Sequence, residues 1–448
     1  MANTKLTRTF GSGGNRVKWT WSGWIKRTGL GSAQAIFTAY ENANNHTYCR
    51  FDSDDELRFE DQTSGNTNGR IVSNMKFRDI NCWYHLVLVF DKNNSTSGDR
   101  IKMYVNGERI TSFSDTGNTP FDTSQMNNES LGREHEIGCF NNTNFFNGVM
   151  SHIHFCDGYA YLPSDFGETD STTGNWKIKT SPSVSYGTTG YWILKDGNSV
   201  TDSSTNSNAW TVGGGTLTKT EDCPSNVFAT WNILDSHYFW GAEESSWCTN
   251  GNTKARSGNS QYSSSTATLG ASSGKYYWEI KLSAASNSEK YFHIGIKSKQ
   301  DLNTQTGLGS FSTDYAYRGH NGNLMYNDNS TSYGDTYQVG DIVGVAMDLD
   351  NNRLFFSKNG VWQNSGDPTS STGAISITDP ASTDFGFYVP AWSWNDGSSY
   401  GTIEANFGNG AFGSTQLTGT TYQASGIGIF KYQPPTGYTA LSTKGLNL

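Results

Sequence analysis

The sequence predicts an all-β chain of two antiparallel sandwiches in tandem, and three observations carry that prediction. From Gly340 to Pro368, Val343, Val345, Met347 and Leu349 occupy every second position with Ile342, Gly344 and Ala346 between them, the pattern of a strand covered on both faces. Asp350-Asn351-Asn352 turns this strand, Arg353 to Ser357 returns, and Asn359-Gly360 closes a hairpin, because a type I′ turn needs positive φ twice. The figure recurs from Tyr84 to Ile110, where a strand ends at Asp91 and the spacing from Arg100 to Asn106-Gly107 equals that from Arg353 to Asn359-Gly360. The third observation is composition: with 50 Gly, 14% aromatic and only 16% charged residues, the chain solvates itself with Asn, Ser, Thr and Gly, a usage that favours strands and turns.

At 448 residues the chain is long enough for two sandwiches, each with its own core. A net charge of −9 supplies no basic patch for phosphate, so nucleic acid and anionic membrane are not expected as partners. The start, MANTKLTRTF, has no apolar signal region, and no run approaches the roughly 20 apolar residues of a spanning helix. The expectation is a chain that is neither exported through a signal peptide nor inserted in a membrane. Cys49, Cys82, Cys139, Cys156, Cys223 and Cys248 show no CxxC or zinc-type spacing, and read as free, mostly buried thiols made in a reducing compartment.

Taken in order, Lys18 to Lys26 sets Trp19 and Trp21 on one face as the first core strand. Gln34 to Tyr40, Thr47 to Phe51, Leu57 to Phe59 and Arg70 to Val72 follow as short strands between Asn, Asp and Gly turns, then the Tyr84–Ile110 hairpin, Glu136 to Phe140 and Phe146 to Phe155. GYWILKD (190–196) and AWTV (209–212) read as a closing hairpin looped by Ser203 to Asn208. The boundary then divides the chain into domains 1–226 and 227–448. In the second, Tyr276, Trp278, Ile280 and Leu282 share one face of a strand.

The segments WTWSGWIKRT, CWYHLVLVFD, DRIKMYVNGERI and FFNGVMSHIHFCDGYAYLPSDFG resemble, in that order, laminin-G-like members of the concanavalin A-like lectin/glucanase superfamily, over about the first 165 residues. GKYYWEIKL, HIGIKS, the central hairpin and GTIEANFG resemble the SPRY domain, over about residues 228 to 440. These resemblances imply two concanavalin-like jelly rolls. A module of this kind followed by SPRY, with the tail YQPPTGYTALSTKGLNL, is similar to structural proteins of tailed bacteriophages. That resemblance implies a non-enzymatic virion protein of the tail fibre or capsid surface, made in the host cytoplasm, present in multiple copies, contacting other virion proteins and binding host-surface glycan. The alternatives are a purely structural decoration or connector protein and a glycan hydrolase.

A retaining hydrolase needs two carboxylates about 5 Å apart, and the sequence offers no such paired motif, nor a nucleophile constellation, so no catalytic residue is named. His152 and His154 alternate on a strand, where partly exposed structural roles are expected. Calcium is the one candidate cofactor: Asp52, Asp54 and Asp55 offer oxygen ligands, as do Asp91, Asn93 and Asp99, although neither set has EF-hand spacing. For ligand binding the candidate is the loop from Val389 to Gly401. Trp392 and Trp394 lie at strand spacing beside Asn395, Asp396 and Tyr400, combining flat apolar faces with hydrogen-bonding groups, and a buried strand is the competing reading of both tryptophans.

Overall fold

Strands set by this alternation assemble, in a computed structural model, into two units, Met1–Lys219 and Thr220–Leu448. The structure describes residues 3–80, 82–117, 124, 126–127, 133–195, 199–237, 248–258, 263–286, 291–299, 307–396 and 399–447. Among them helical structure is confined to short 3-10 turns such as Ser97–Asp99 and Pro163–Asp165. No helix among these residues is long and apolar enough to cross a membrane.

In the first unit, an eight-stranded sheet runs in the order Phe113–Asp115, Asn66–Lys76, Glu56–Thr63, Asn45–Phe51, Gln34–Asn42, Glu134–Ile137, Lys5–Thr9 and Thr211–Gly214. Against it lies a six-stranded sheet: Tyr191–Ile193, Gly148–Asp157, Lys18–Arg27, Trp83–Asp91, Ile101–Val105 and Glu108–Arg109. Neighbouring strands are antiparallel, and the alternate residues of each inner face interdigitate, as in a jelly roll. Trp19 stacks on its cross-strand neighbour Phe90 at 5.4 Å, and Trp21 of the smaller sheet stacks on Phe37 of the larger at 5.0 Å, a contact that fastens the two sheets together.

The second unit repeats the architecture. Trp231–His237, Ser263–Ala267, Val389–Trp394, Phe292–Lys297, Asp314–Arg318, Asn323–Tyr326 and Asn329–Ser332 form one sheet. Lys275–Ala285 and Ile342–Asp348 are the central strands of the other, next to Gly401–Asn406 and Arg353–Lys358. The two Asn-Gly turns are alike in detail. Asn106 accepts from His85 N at 2.8 Å and donates its own N–H to His85 O, while Asn359 accepts from Ile342 N at 2.8 Å and donates to Ile342 O. Asn106, Gly107, Asn359 and Gly360 all have positive φ, and Met103 and Phe356 are both buried on the strands that lead into the turns.

Two expectations are corrected. Tyr191–Ile193 and Thr211–Gly214 are not a hairpin: the first pairs with Gly148–Asp157 and the second with Lys5–Thr9, in opposite sheets. The carboxylate of Asp202 explains the crossing, because it accepts from the backbone N–H groups of Trp192, Ser204 and Asn208 and coils the chain at the sandwich edge. Asp196 of that segment lies outside the described residues. Around the junction of the two units, Asp222 accepts from Phe228 N and Asn226 from Lys444 N, which ties both residues to the second unit. His152 and His154 are fully buried rather than partly exposed, because residues 158–190 fold over that face of the six-stranded sheet, with Tyr186 OH 2.9 Å from His154 Nδ1. The described cysteines form no disulfide with one another, and five of them are buried and Cys82 exposed.

Candidate functional site

Trp392 and Trp394 sit on Val389–Trp394, and neither exposes any of its surface. Each pairs across the strand with a residue of Phe292–Lys297, Trp392 with Ile294 and Trp394 with Phe292, and Trp394 donates its indole N–H to Ser399 O at 3.0 Å. The indole faces expected to receive a sugar ring are therefore spent on the core. Asn395 and Asp396 are half-buried; Asn395 accepts from Ser393 Oγ at 2.9 Å, and Asp396 accepts from Ser399 Oγ. Tyr400 is half-buried under the Arg256 guanidinium, 3.9 Å from its ring centre. Gly397 and Ser398 lie outside the described residues.

The acidic run does not form a calcium site. Asp55 is buried and accepts from Arg27 Nη2 at 3.0 Å, Arg78 Nε at 3.1 Å and Gly31 N at 3.1 Å. Against its burial, these donors hold its carboxyl below the ordinary value. Asp52 faces Arg50 and Arg58, and Asp54 lies 3.8 Å from Lys76 Nζ, so cations of the protein already occupy all three carboxylates. Asp91 and Asp99 are likewise paired, with Lys18 and Arg109. Among the described residues no group of three His, Cys, Asp or Glu side chains is placed to hold a metal ion.

What the sequence reasoning missed stands one turn upstream. Of the Phe, Tyr and Trp side chains among the described residues, only Phe387 and Tyr159 are exposed, at 39% and 41%. Each is half of a stacked pair two residues apart. Phe387 lies on Phe385 with centroids 5.4 Å apart and planes 24° apart; Tyr159 lies on Tyr161 at 5.5 Å and 16°.

Both ledges are held firmly. Between Phe385 and Phe387, Gly386 takes φ +72, and Ser298 Oγ donates to Phe387 O at 2.5 Å. Tyr388 is fully buried and exchanges two backbone hydrogen bonds with Ala271. A Cβ at Gly270 would stand 2.6 Å from the Phe387 ring, so the bare backbone there is what seats it. Asp384 and Lys299, whose ammonium lies over Phe311, flank this ledge. In the first unit, Thr20 Oγ1 donates to Tyr159 O and accepts from Tyr161 N, both at 2.9 Å, and Tyr161 OH accepts from Ser185 N. Flat, fixed, solvent-facing rings beside polar groups are suited to stacking on the C–H face of a ligand.

Comparison with known proteins agrees with this architecture. Residues 6–160 match the concanavalin A-like lectin/glucanases superfamily and residues 275–372 match the SPRY domain. A Ran-binding proteins 9/10 homolog of Drosophila melanogaster is 33% identical over 93 residues, which is 20% of this chain and 9% of that protein. Ran-binding protein 9 of Danio rerio is 33% identical over 91 residues, 20% of this chain and 15% of that protein. The match thus spans a small part of these relatives' length. The SPRY domain of human HERC1 aligns at TM-score 0.30 and 13% identity, over 42% of this chain and 99% of that one, a likeness that adds nothing to the strand topology. The chain contains a concanavalin-like, laminin-G-type domain followed by a SPRY domain.

Proposed function

We propose that the protein is a non-enzymatic adhesin of a tailed-phage virion, which binds host-surface glycan through the exposed aromatic ledges of its two domains. The single observation that supports it is that, among the described Phe, Tyr and Trp residues, Phe387 and Tyr159 alone are exposed rather than buried or half-buried, and each is stacked on a fixed neighbour. Two rings stacked and held at the surface offer a flat apolar face on which a sugar ring can pack. The resemblance of the sequence to virion proteins suggests the setting, and the lectin-like and SPRY domain types support a binding function. In the acidic run that sequence reasoning examined, the carboxylates are matched to arginine or lysine, the arrangement of a structural ion-pair network rather than of an acid and a base flanking a bond.

The test is binding of the full-length protein to a panel of host-surface polysaccharides and to host cells. Phe385→Ala/Phe387→Ala and Tyr159→Ala/Tyr161→Ala variants should each weaken binding by about tenfold or more while keeping a cooperative thermal transition. Undiminished binding by both variants would reject the ledges. Release of reducing ends from the polysaccharide would reject the non-enzymatic reading. A decoration protein would instead bind another virion protein and no glycan.

A further inference from the structure

Arg318, on the outer face of the second domain's smaller sheet, differs in its setting from Arg27, Arg58, Arg70 and Arg133 of the first domain. Arg27, Arg58, Arg70 and Arg133 each rest on an Asp or Glu. Arg318 is half-buried with no carboxylate partner among the described residues. Its Nε donates to His293 Nε2 at 3.1 Å and its Nη1 to Met325 Sδ at 3.4 Å. Burial pushes the guanidinium below its ordinary value, and Tyr337 is the one group that offsets this. A half-buried guanidinium with no carboxylate beside it among the described residues is suited to receive an anion.

The surroundings fix the guanidinium in place. His293 is buried and, with Nε2 accepting from Arg318, its Nδ1 carries the proton and donates to Leu308 O at 2.9 Å. Strand register places Arg318 opposite His293, and His293 opposite Ser393, on the face away from the core. Ser393 Oγ donates to Asn395 Oδ1, Asn395 N donates to Tyr291 O, and the ring of exposed His320 lies 6.0 Å from that of Tyr291. His320 is also near enough to disfavour charge on His293. The set is one fixed guanidinium among imidazole, amide and hydroxyl groups. Asp396, which follows Asn395 in the chain, accepts from Ser399.

From this geometry we infer that Arg318 forms an anion subsite that takes the carboxylate of an acidic sugar, so that the glycan is a uronate- or sialate-containing polysaccharide. A carboxylate accepts two parallel hydrogen bonds from a guanidinium fork, and the neighbouring amide and imidazole groups match sugar hydroxyls. This inference rests on the glycan-binding reading. It places a charge-specific contact at the opposite end of Phe292–Lys297 from the Phe387 ledge, since Lys297 pairs with Val389 and His293 with Ser393.

The test measures binding of the full-length protein to trigalacturonate, an alginate oligomer and N-acetylneuraminic acid, to the methyl ester of each, and to inorganic phosphate and a Glu-rich peptide. Wild type should prefer at least one acid over its ester by about 10- to 100-fold. Arg318→Gln should bind that acid and its ester alike, and Arg318→Lys should retain part of the preference. Because the readout is a ratio within one variant, a change in stability does not imitate it. Equal binding of acid and ester by wild type, or a preference that survives in Arg318→Gln, overturns the inference. If the ledge variants still lose binding, the adhesin reading then stands alone. Competition by phosphate or the Glu-rich peptide but by no sugar acid overturns the sugar assignment, and no binding to any saccharide overturns both.

Discussion

Trp392 and Phe387 stand five positions apart and have opposite fates, and the phase of one alternation decides between them. Tyr388, Trp392 and Trp394 share one parity and are buried; Phe385 and Phe387 have the other parity and face outward. The parity was legible in the sequence, but which phase faced the second sheet was not, because two tryptophans at period two suit a core and a binding surface equally. Tyr388 was the available clue, since it extends the tryptophan phase to the edge of the strand. Trp392→Ala should lower stability by about 3 to 5 kcal/mol, as expected for an indole removed from a packed core. Phe387→Ala should change stability by under about 1 kcal/mol while weakening ligand binding. Chemical denaturation and binding measured on the same two variants separate the roles, and the reverse pattern would exchange them.

Between neighbouring strands the recurrent Asn-Gly hairpin was the most legible feature. Its two copies share φ signs, side-chain acceptors and buried flanking residues, all following from one local rule about turn geometry. Less legible was what covers each turn. A Cβ on Gly107 would meet Trp176 at 2.7 Å, and one on Gly360 would meet Tyr432 at 2.5 Å, so each turn lies beneath an aromatic ring from a later segment of its own domain. Such contacts join residues far apart in sequence, and no local pattern announces them. The misread hairpin of Tyr191–Ile193 and Thr211–Gly214 failed for the same reason: adjacency in sequence suggested pairing, whereas the Asp202 turn sends the two strands to different sheets. Gly360→Ala should cost more than the ordinary Gly-to-Ala strain at positive φ, about 1 to 3 kcal/mol in all, because the methyl group also displaces Tyr432. Asn359→Ala should cost about 1 to 3 kcal/mol by leaving Ile342 N without its acceptor. Urea midpoints of the two variants check this, and a neutral Gly360→Ala would refute the covering role of Tyr432.

At the scale of the whole molecule, the two domains should respond differently to acid. In the first, His85 is buried against Ser22 Oγ at 2.9 Å and accepts the Trp176 indole N–H at 2.9 Å, and burial holds it down to about 3; burial also keeps His154 well below its ordinary value. Both are neutral when folded but free to take up a proton when unfolded, so they favour the unfolded state as pH falls below about 6.5. At pH 5 this amounts to about 2 kcal/mol for His85, with His154 adding a loss of the same sign. The second domain carries the same liability in His293, held down to about 3, but it also buries Glu279. Burial raises that carboxyl to about 7, against donors from Lys431 N, Tyr432 N, Asn406 and Tyr277 that favour its charged form. A carboxyl raised in the folded state binds its proton there first, so between pH 7 and its unfolded value near 4.5 acidification stabilises the fold. At pH 5 the gain is about 2 to 3 kcal/mol, close to the His293 loss. Scanning calorimetry of the intact protein from pH 7.5 to 5.0 should therefore show one transition falling by about 4 to 8 °C for the His85 contribution alone, while the other stays nearly fixed. Glu279→Gln should make the second transition acid-sensitive, and His85→Gln should reduce the shift of the first. Two transitions that fall in parallel would show that these buried groups do not set the acid response.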